Sequence, residues 1–148
     1  MSKEIYTIGF TKKSAENFFS LLKNNDVRRI LDTRLNNTGQ LAGFSKKEDL
    51  KYFCKTLISA EYIHWEESAP EDSMLSAFKK KLISWETYAN EYASLLERRK
   101  IERQLSLVSD LNSCLLCSEA KPHHCHRSIL ADYLNKKSGG SFKVKHLT

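Results

Sequence analysis

The chain has 148 residues, of which 41% are hydrophobic and 28% charged, and it carries a formal net charge of +6. This length and composition indicate one globular domain over residues 1–148 and exclude a largely disordered chain. No apolar run approaches the roughly 20 residues that cross a bilayer, and the first residues lack a signal-peptide pattern, so we predict a cytoplasmic protein without a membrane partner. The positive charge favours anionic partners.

The first part of the chain alternates strand and helix patterns. Residues 4–8 alternate polar and apolar side chains, which predicts a strand, and Ser14 is suited to cap the helix that follows. Residues 27–31 predict a second strand. Residues 35–44 lack periodicity and predict a long loop, after which residues 45–48 form a capping-box pattern that opens the next helix.

The second part continues this alternation. The predicted elements are a strand at 61–65, a short helix at 74–82, one long or bent helix at 85–108, a strand at 113–117, a helix ending near 137 and a strand at 142–147. Five strands separated by helices predict a single α/β domain with a mostly parallel five-stranded sheet and helices on both faces.

Ligands of such folds bind beyond the C-terminal ends of the parallel strands. Asp32 and Arg34 directly follow the second predicted strand, and His146 lies near the end of the last one. We therefore predict that Asp32, Arg34 and His146 contribute to a substrate-binding site at this edge.

The richest concentration of reactive side chains follows the fourth predicted strand, in residues 114–134. One interpretation is a metal site, because cysteine and histidine are common zinc ligands. The spacing argues against it, since Cys114 and Cys117 are three apart within a strand and point to opposite faces. We predict no metal and no cofactor, and we expect all four cysteines to be thiols in a reducing cytoplasm.

The second interpretation is an anion site. A helix beginning near Cys125 offers free backbone N–H groups to a negative charge, and Arg127 adds a planar fork suited to phosphate. In this interpretation Cys117 or Cys125 is the nucleophile, and Glu119 or His126 handles protons. The alternative is that both cysteines are small core residues and that Arg127 and Glu119 form a structural ion pair.

Several short motifs resemble the family known as domain of unknown function 488. The similar segments are Thr7-Ile8-Gly9, Asp32-Thr33-Arg34, Phe44, Tyr62, Ala69-Pro70, Trp85 with Tyr88 and Tyr92, residues 115–119, Cys125-His126-Arg127 and residues 144–147. The resemblance implies a compact α/β domain with a polar pocket built from Asp32, Arg34, Cys117, Glu119, Cys125, His126 and Arg127. Family members often have His-Ser after Thr-Ile-Gly, whereas this chain has Phe10-Thr11, so any role of that histidine is absent here.

The resemblance brings no established reaction, only a loose association with DNA repair or nucleic-acid metabolism. The leading hypothesis is an enzyme with an Arg/Cys/Glu anion pocket that acts on a nucleotide-like or phosphorylated substrate, as a cysteine- or glutamate-assisted hydrolase or transferase. The alternative is a non-catalytic nucleic-acid-binding module, motivated by the net charge. Basic residues at 28–29, 79–81, 98–100 and 136–137 are dispersed and interleaved with acids, which favours solvated helix faces over one continuous patch.

Overall fold

A computed structural model of the chain describes residues 3–35, 46–117 and 125–148. Its five strands are β1 (Lys3–Gly9), β2 (Arg29–Asp32), β3 (Glu61–His64), β4 (Ser113–Cys117) and β5 (Phe142–Leu147). They form one sheet in the order β3-β2-β4-β1-β5, and every strand pair is parallel. The predicted α/β fold is confirmed, with a sheet that is parallel throughout. No helix in these described ranges is long and apolar enough to cross a membrane.

The helices of the described ranges are α1 (Ala15–Asn24), α2 (Lys47–Ile58), α3 (Asp72–Lys79), α4 (Trp85–Arg99), α5 (Ser106–Ser109) and α6 (His126–Lys137). The predicted cap of α1 is confirmed, because Ser14 Oγ accepts a hydrogen bond from the Asn17 N–H at 3.1 Å. The N-cap position of α2 is Lys46. The predicted loop at 35–44 and the predicted cap at Ser45 lie outside the described residues, apart from Leu35.

The apolar pattern from residue 85 to 108 does not form one helix, so that prediction is wrong. Helix α4 ends at Arg99, and the C-cap residue that follows, Lys100, has a left-handed backbone with a φ of 53°. A right-handed helix cannot continue through this conformation. The chain goes on as a 3-10 turn, Ile101–Gln104, and then as α5. The apolar spacing persists because Ile101 and Val108 are both core residues.

Helices cover both faces of the sheet, as the sequence predicts. Successive side chains of a strand point to opposite faces, so each strand contributes to two cores. Ile5 of β1 and Leu115 of β4 belong to the core that contains residues of α3, α4, α5 and α6. Ile8 and Leu116, on the same two strands, belong to the core that contains residues of α1 and α2. We call these two sides the α6 face and the α1 face.

The connections of β1 and β4 leave the centre of the sheet on opposite faces. The two strands are neighbours, and Gly9 at the end of β1 is aligned with Cys117 at the end of β4. The chain leaves β1 through α1 toward β2, and it leaves β4 through α6 toward β5 on the other side. Such a topological switch point opens a crevice beyond the strand ends, and ligands of open α/β sheets bind in that crevice.

Candidate functional site at the ends of β1 and β4

Arg127 lies at this switch point and is completely buried. It is the second residue of α6, and its Nε donates to the Oγ1 of Thr7 on β1 at 3.3 Å. Its Nη1 donates to the Sγ of Cys117 on β4 at 3.2 Å. Thr7 and Cys117 are themselves fully buried. The first turn of α6 therefore places a guanidinium across the C-terminal ends of the two strands.

Two further basic side chains lie close enough to this guanidinium to respond to its charge. The Nδ1 of His146 on β5 lies 2.6 Å from the Oγ1 of Thr7, and the Nζ of Lys13 donates to the Gly9 carbonyl at 2.7 Å. Burial, and then the charge of Arg127, lower the pKa of Lys13. The same two causes in the same order lower the pKa of His146, against an opposing effect of Asp132. Three basic groups thus share one electrostatic environment.

Lys13 is the site residue that the sequence analysis missed. It lies in the short connection between β1 and α1, four residues after the glycine that ends β1. Its position in the sequence could have identified it, because connections that leave the C-terminal ends of parallel strands line the ligand crevice. His146 lies beside Thr7 near the end of β5, and its substrate-binding role stays a prediction.

His126 joins the start of α6 to the end of β2. Its Nε2 lies 2.9 Å from the carbonyl oxygen of Thr33 and 3.0 Å from the Thr33 hydroxyl, which itself donates to the Leu116 carbonyl. Since a carbonyl only accepts, Nε2 carries the proton of the neutral ring. Burial lowers the pKa of His126 to about 4, against the opposing hydrogen bond from Nε2 to Thr33. The imidazole is therefore neutral near pH 7, with its Nε2–H engaged by Thr33.

Asp32 and Arg34 form a separate buried ion pair. The Nε and Nη2 of Arg34 each donate to a carboxylate oxygen of Asp32 at 2.8 Å, and the Arg34 backbone N–H donates to the same carboxylate at 3.1 Å. The hydroxyl of Tyr62 donates to Asp32 as well. The Cζ of Arg34 also lies 5.1 Å from the ring centroid of Phe10, a cation–π contact made by a residue that departs from the expected family motif.

This ion pair belongs to the opposite side of the sheet from Arg127. Asp32 alternates with Leu31, a residue of the α6-face core, and its partner Tyr62 contacts the α1-face core. Thr33, one residue later, points the other way and contacts His126. The predicted site residues therefore fall into two groups that share an edge of the sheet and approach it from different faces.

The cysteines also divide into two pairs. Cys117 and Cys125 are joined as a disulfide, with Cα atoms 7.5 Å apart. The expectation of four free thiols is therefore wrong for these two, because the last residue of β4 and the N-cap residue of α6 lie close enough for their sulfurs to meet. Cys54 and Cys114 are free and buried. Burial raises the pKa of Cys54 to about 12 and that of Cys114 further still, so neither is a nucleophile near neutral pH.

The remaining candidate of this stretch, Glu119, lies outside the described residues. Within residues 3–35, 46–117 and 125–148, no group of three or more histidine, cysteine, aspartate or glutamate side chains is placed to hold a metal ion. Cys114 belongs to the α1-face core, whereas the sulfur of Cys117 contacts Arg127 on the other face. This arrangement follows from the alternation of side chains along β4.

The fold and the position of these side chains define a doubly wound α/β protein with polar groups at its switch point. The family model described as "Domain of unknown function DUF488" matches residues 14–134, and the chain belongs to this family. The resemblance noted from the sequence motifs is therefore confirmed. No curated protein and no solved structure matches the chain significantly.

Proposed function

We propose that the protein is an enzyme of the cytoplasm that binds an anionic, phosphorylated or nucleotide-like substrate at the ends of β1 and β4. The observation that carries this proposal is the fully buried guanidinium of Arg127, held between Thr7 and Cys117 at the switch point of the sheet. A planar guanidinium can hold two oxygens of a phosphate at once. Lys13 and His146 add further donors nearby.

The proposed chemistry uses the side chains that meet Arg127. In the reduced protein, the Sγ of Cys117 is the nucleophile, and the guanidinium 3.2 Å away stabilises its negative charge. Cys125 is the second thiol of the site, and Glu119 is proposed as the acid or base. His126, neutral and bound to Thr33, acts as a proton acceptor only through its other ring nitrogen. Hydrolase and transferase reactions both fit these roles.

Arg34 and Asp32 enter this proposal in a secondary role. Each side chain already has the other as a bidentate partner, so an anion at Arg34 has to share the guanidinium with the Asp32 carboxylate. We propose that they complete the substrate site from the α1 face, while Arg127 supplies the main positive charge.

A non-catalytic nucleic-acid-binding module is the alternative, and the net charge of +6 favours it. Against it, several basic side chains already pair with acids: Arg28 with Asp26, Arg29 with Glu61, Arg98 with Glu71, and Lys137 with Glu97. A binding module would lose affinity steeply with added salt, and it would keep that affinity in a C117S/C125S variant. A steep salt dependence, or affinity retained in C117S/C125S, would favour the nucleic-acid-binding module if the protein also fails to bind small phosphates.

The anion site is tested by calorimetric titration of the reduced full chain with inorganic phosphate and pyrophosphate. We expect saturable binding that Lys13→Gln weakens about tenfold, since a tenfold change equals about 1.4 kcal/mol and a charge-assisted hydrogen bond contributes about that much. Lys12→Gln is the matched control, because Lys12 is the exposed neighbour in the same connection. Its affinity should stay within about twofold of wild type.

Arg127→Lys keeps the positive charge but removes the planar guanidinium. It should therefore weaken pyrophosphate binding more than Lys12→Gln does, while the circular dichroism spectrum stays unchanged. The proposal fails if the wild-type protein binds neither anion, or if the Lys12 and Lys13 variants bind them equally.

A further inference from the structure

Cys117 and Cys125 are the two cysteines whose sulfurs meet at the candidate site beside Arg127. Cys117 is the last residue of β4 and Cys125 is the N-cap of α6, eight residues later in the chain. Their sulfurs are in bonding contact, and Arg127 donates to the Cys117 sulfur. The fold therefore brings two thiols and one positive charge together at the end of a central strand.

The other two cysteines provide a contrast within the same chain. Cys54 and Cys114 both belong to the α1-face core and are completely buried. Cys114 lies only three residues before Cys117 on β4, so the two sulfurs differ in the face they point to. A thiol in an apolar core stays protonated and resists oxidation, whereas one beside a guanidinium gains thiolate character.

We propose that Cys117 and Cys125 form a reversible, peroxide-sensitive dithiol, in which Cys117 is oxidised first and Cys125 resolves the product. Arg127 selects Cys117, because its Nη1–H stabilises a negative charge on that sulfur. The exposed fractions of the two residues, 0% and 3%, favour a small oxidant such as hydrogen peroxide over a bulky disulfide.

The reaction has two steps. The Cys117 thiolate attacks one peroxide oxygen, the O–O bond breaks, and the released hydroxide takes a proton to leave as water, so that Cys117 becomes a sulfenic acid. The Cys125 thiol then attacks the Cys117 sulfur, the S–O bond breaks, and the hydroxyl leaves with the thiol proton as a second water. Peroxide is reduced by two electrons and the pair is oxidised to the disulfide. A dithiol reductant returns it to two thiols by exchange.

The test treats the reduced full chain with hydrogen peroxide, then counts thiols after denaturation and maps peptides by mass spectrometry. We expect the four cysteines of the chain to give two reactive thiols and one disulfide between Cys117 and Cys125, reversed by dithiothreitol. A C54S/C114S variant should behave like wild type. Four remaining thiols, or a disulfide that includes Cys54 or Cys114, would overturn the proposal.

The order of the steps is tested with single variants and dimedone, which labels sulfenic acids. C125S should accumulate the label on Cys117, and C117S should leave Cys125 unlabelled; the reverse pattern overturns the assigned roles. The wild-type peptide map needs no variant, so it decides the proposal even where a variant fails to fold. The dithiol and the anion site share Arg127, but phosphate binding and disulfide formation are separate readouts on the same sample, so either proposal can fail without the other.

Discussion

The two buried arginines at the C-terminal edge of the sheet are held by different described partners. Arg34 is held by the carboxylate of Asp32, two residues before it in the chain. Arg127 donates to a threonine hydroxyl 120 residues away and to a cysteine sulfur 10 residues away. Arg34 belongs to the α1 face and Arg127 to the α6 face.

This difference is the reason that Arg127 is proposed as the main anion-binding charge and Arg34 as a secondary one. The Asp32 carboxylate binds the Arg34 guanidinium through two hydrogen bonds and neutralises its charge. The same carboxylate accepts from the Arg34 backbone N–H, so the ion pair also fixes the backbone after β2. Arg127 lies beside a polarisable sulfur and next to Lys13 and His146, whose protonation it opposes. Lys13 and His146 both respond to the charge of Arg127, which is why the proposed substrate site is centred on this guanidinium.

The largest effect should come from breaking the structural pair. Asp32→Asn removes the carboxylate charge that pairs with the buried Arg34 guanidinium, which should lower the free energy of unfolding by about 3 to 5 kcal/mol in urea denaturation. Asp26→Asn is the matched control, since Asp26 and Arg28 have the same two-residue spacing on the surface, with side chains 70% and 51% exposed. That variant should lose at most about 1 kcal/mol. Equal losses in the two variants would contradict the structural role of Asp32.

A smaller loss of stability should come from lowering the pH, because His126 on the α6 face is buried in its neutral form. The pKa of His126 falls from 6.5 to about 4 on folding, so between these values the unfolded chain binds a proton that the folded chain does not. Its contribution to stability is complete above about pH 6.5 and is lost as the pH falls toward 4. We expect a loss of about 2 kcal/mol between pH 7 and pH 5.

Denaturant titrations of wild type and His126→Asn at the two pH values measure this contribution. The variant is less stable at pH 7, and the loss between the two pH values should be about 2 kcal/mol smaller in the variant than in wild type. A wild-type protein that is equally stable at pH 7 and pH 5 would show that His126 is not a buried neutral base.

The smallest effect should come from Thr7→Val, which removes the hydroxyl that accepts from Arg127 Nε and contacts His146. The replacement has nearly the same shape, so the loss should be about 1 to 2 kcal/mol, the cost of a buried donor without its acceptor. Thr56→Val, at an exposed position of α2, should change stability by less than about 0.5 kcal/mol. A Thr7 variant as stable as the Thr56 variant would mean that Thr7 does not support Arg127.

The predictions from sequence succeeded where the signal was local. The period-two and helical patterns predict the five strands and the cap at Ser14, and both are confirmed. The same periodicity failed near Lys100, because the spacing of core residues continues across a backbone break that no apolar pattern records. The kinds of residue in the candidate site could also be predicted from the sequence, since Arg127 and Cys117 lie in its densest run of reactive side chains.

The sequence by itself determined the α/β class, the parallel sheet and the edge at which the polar residues gather, because strand and helix periods depend on neighbouring residues. Only the tertiary structure decided that β4 lies between β2 and β1, that Arg127 contacts Thr7 across 120 positions, and that Cys117 joins Cys125. These features depend on which strands become neighbours and on which face each side chain points to, and the packing of the whole chain sets both.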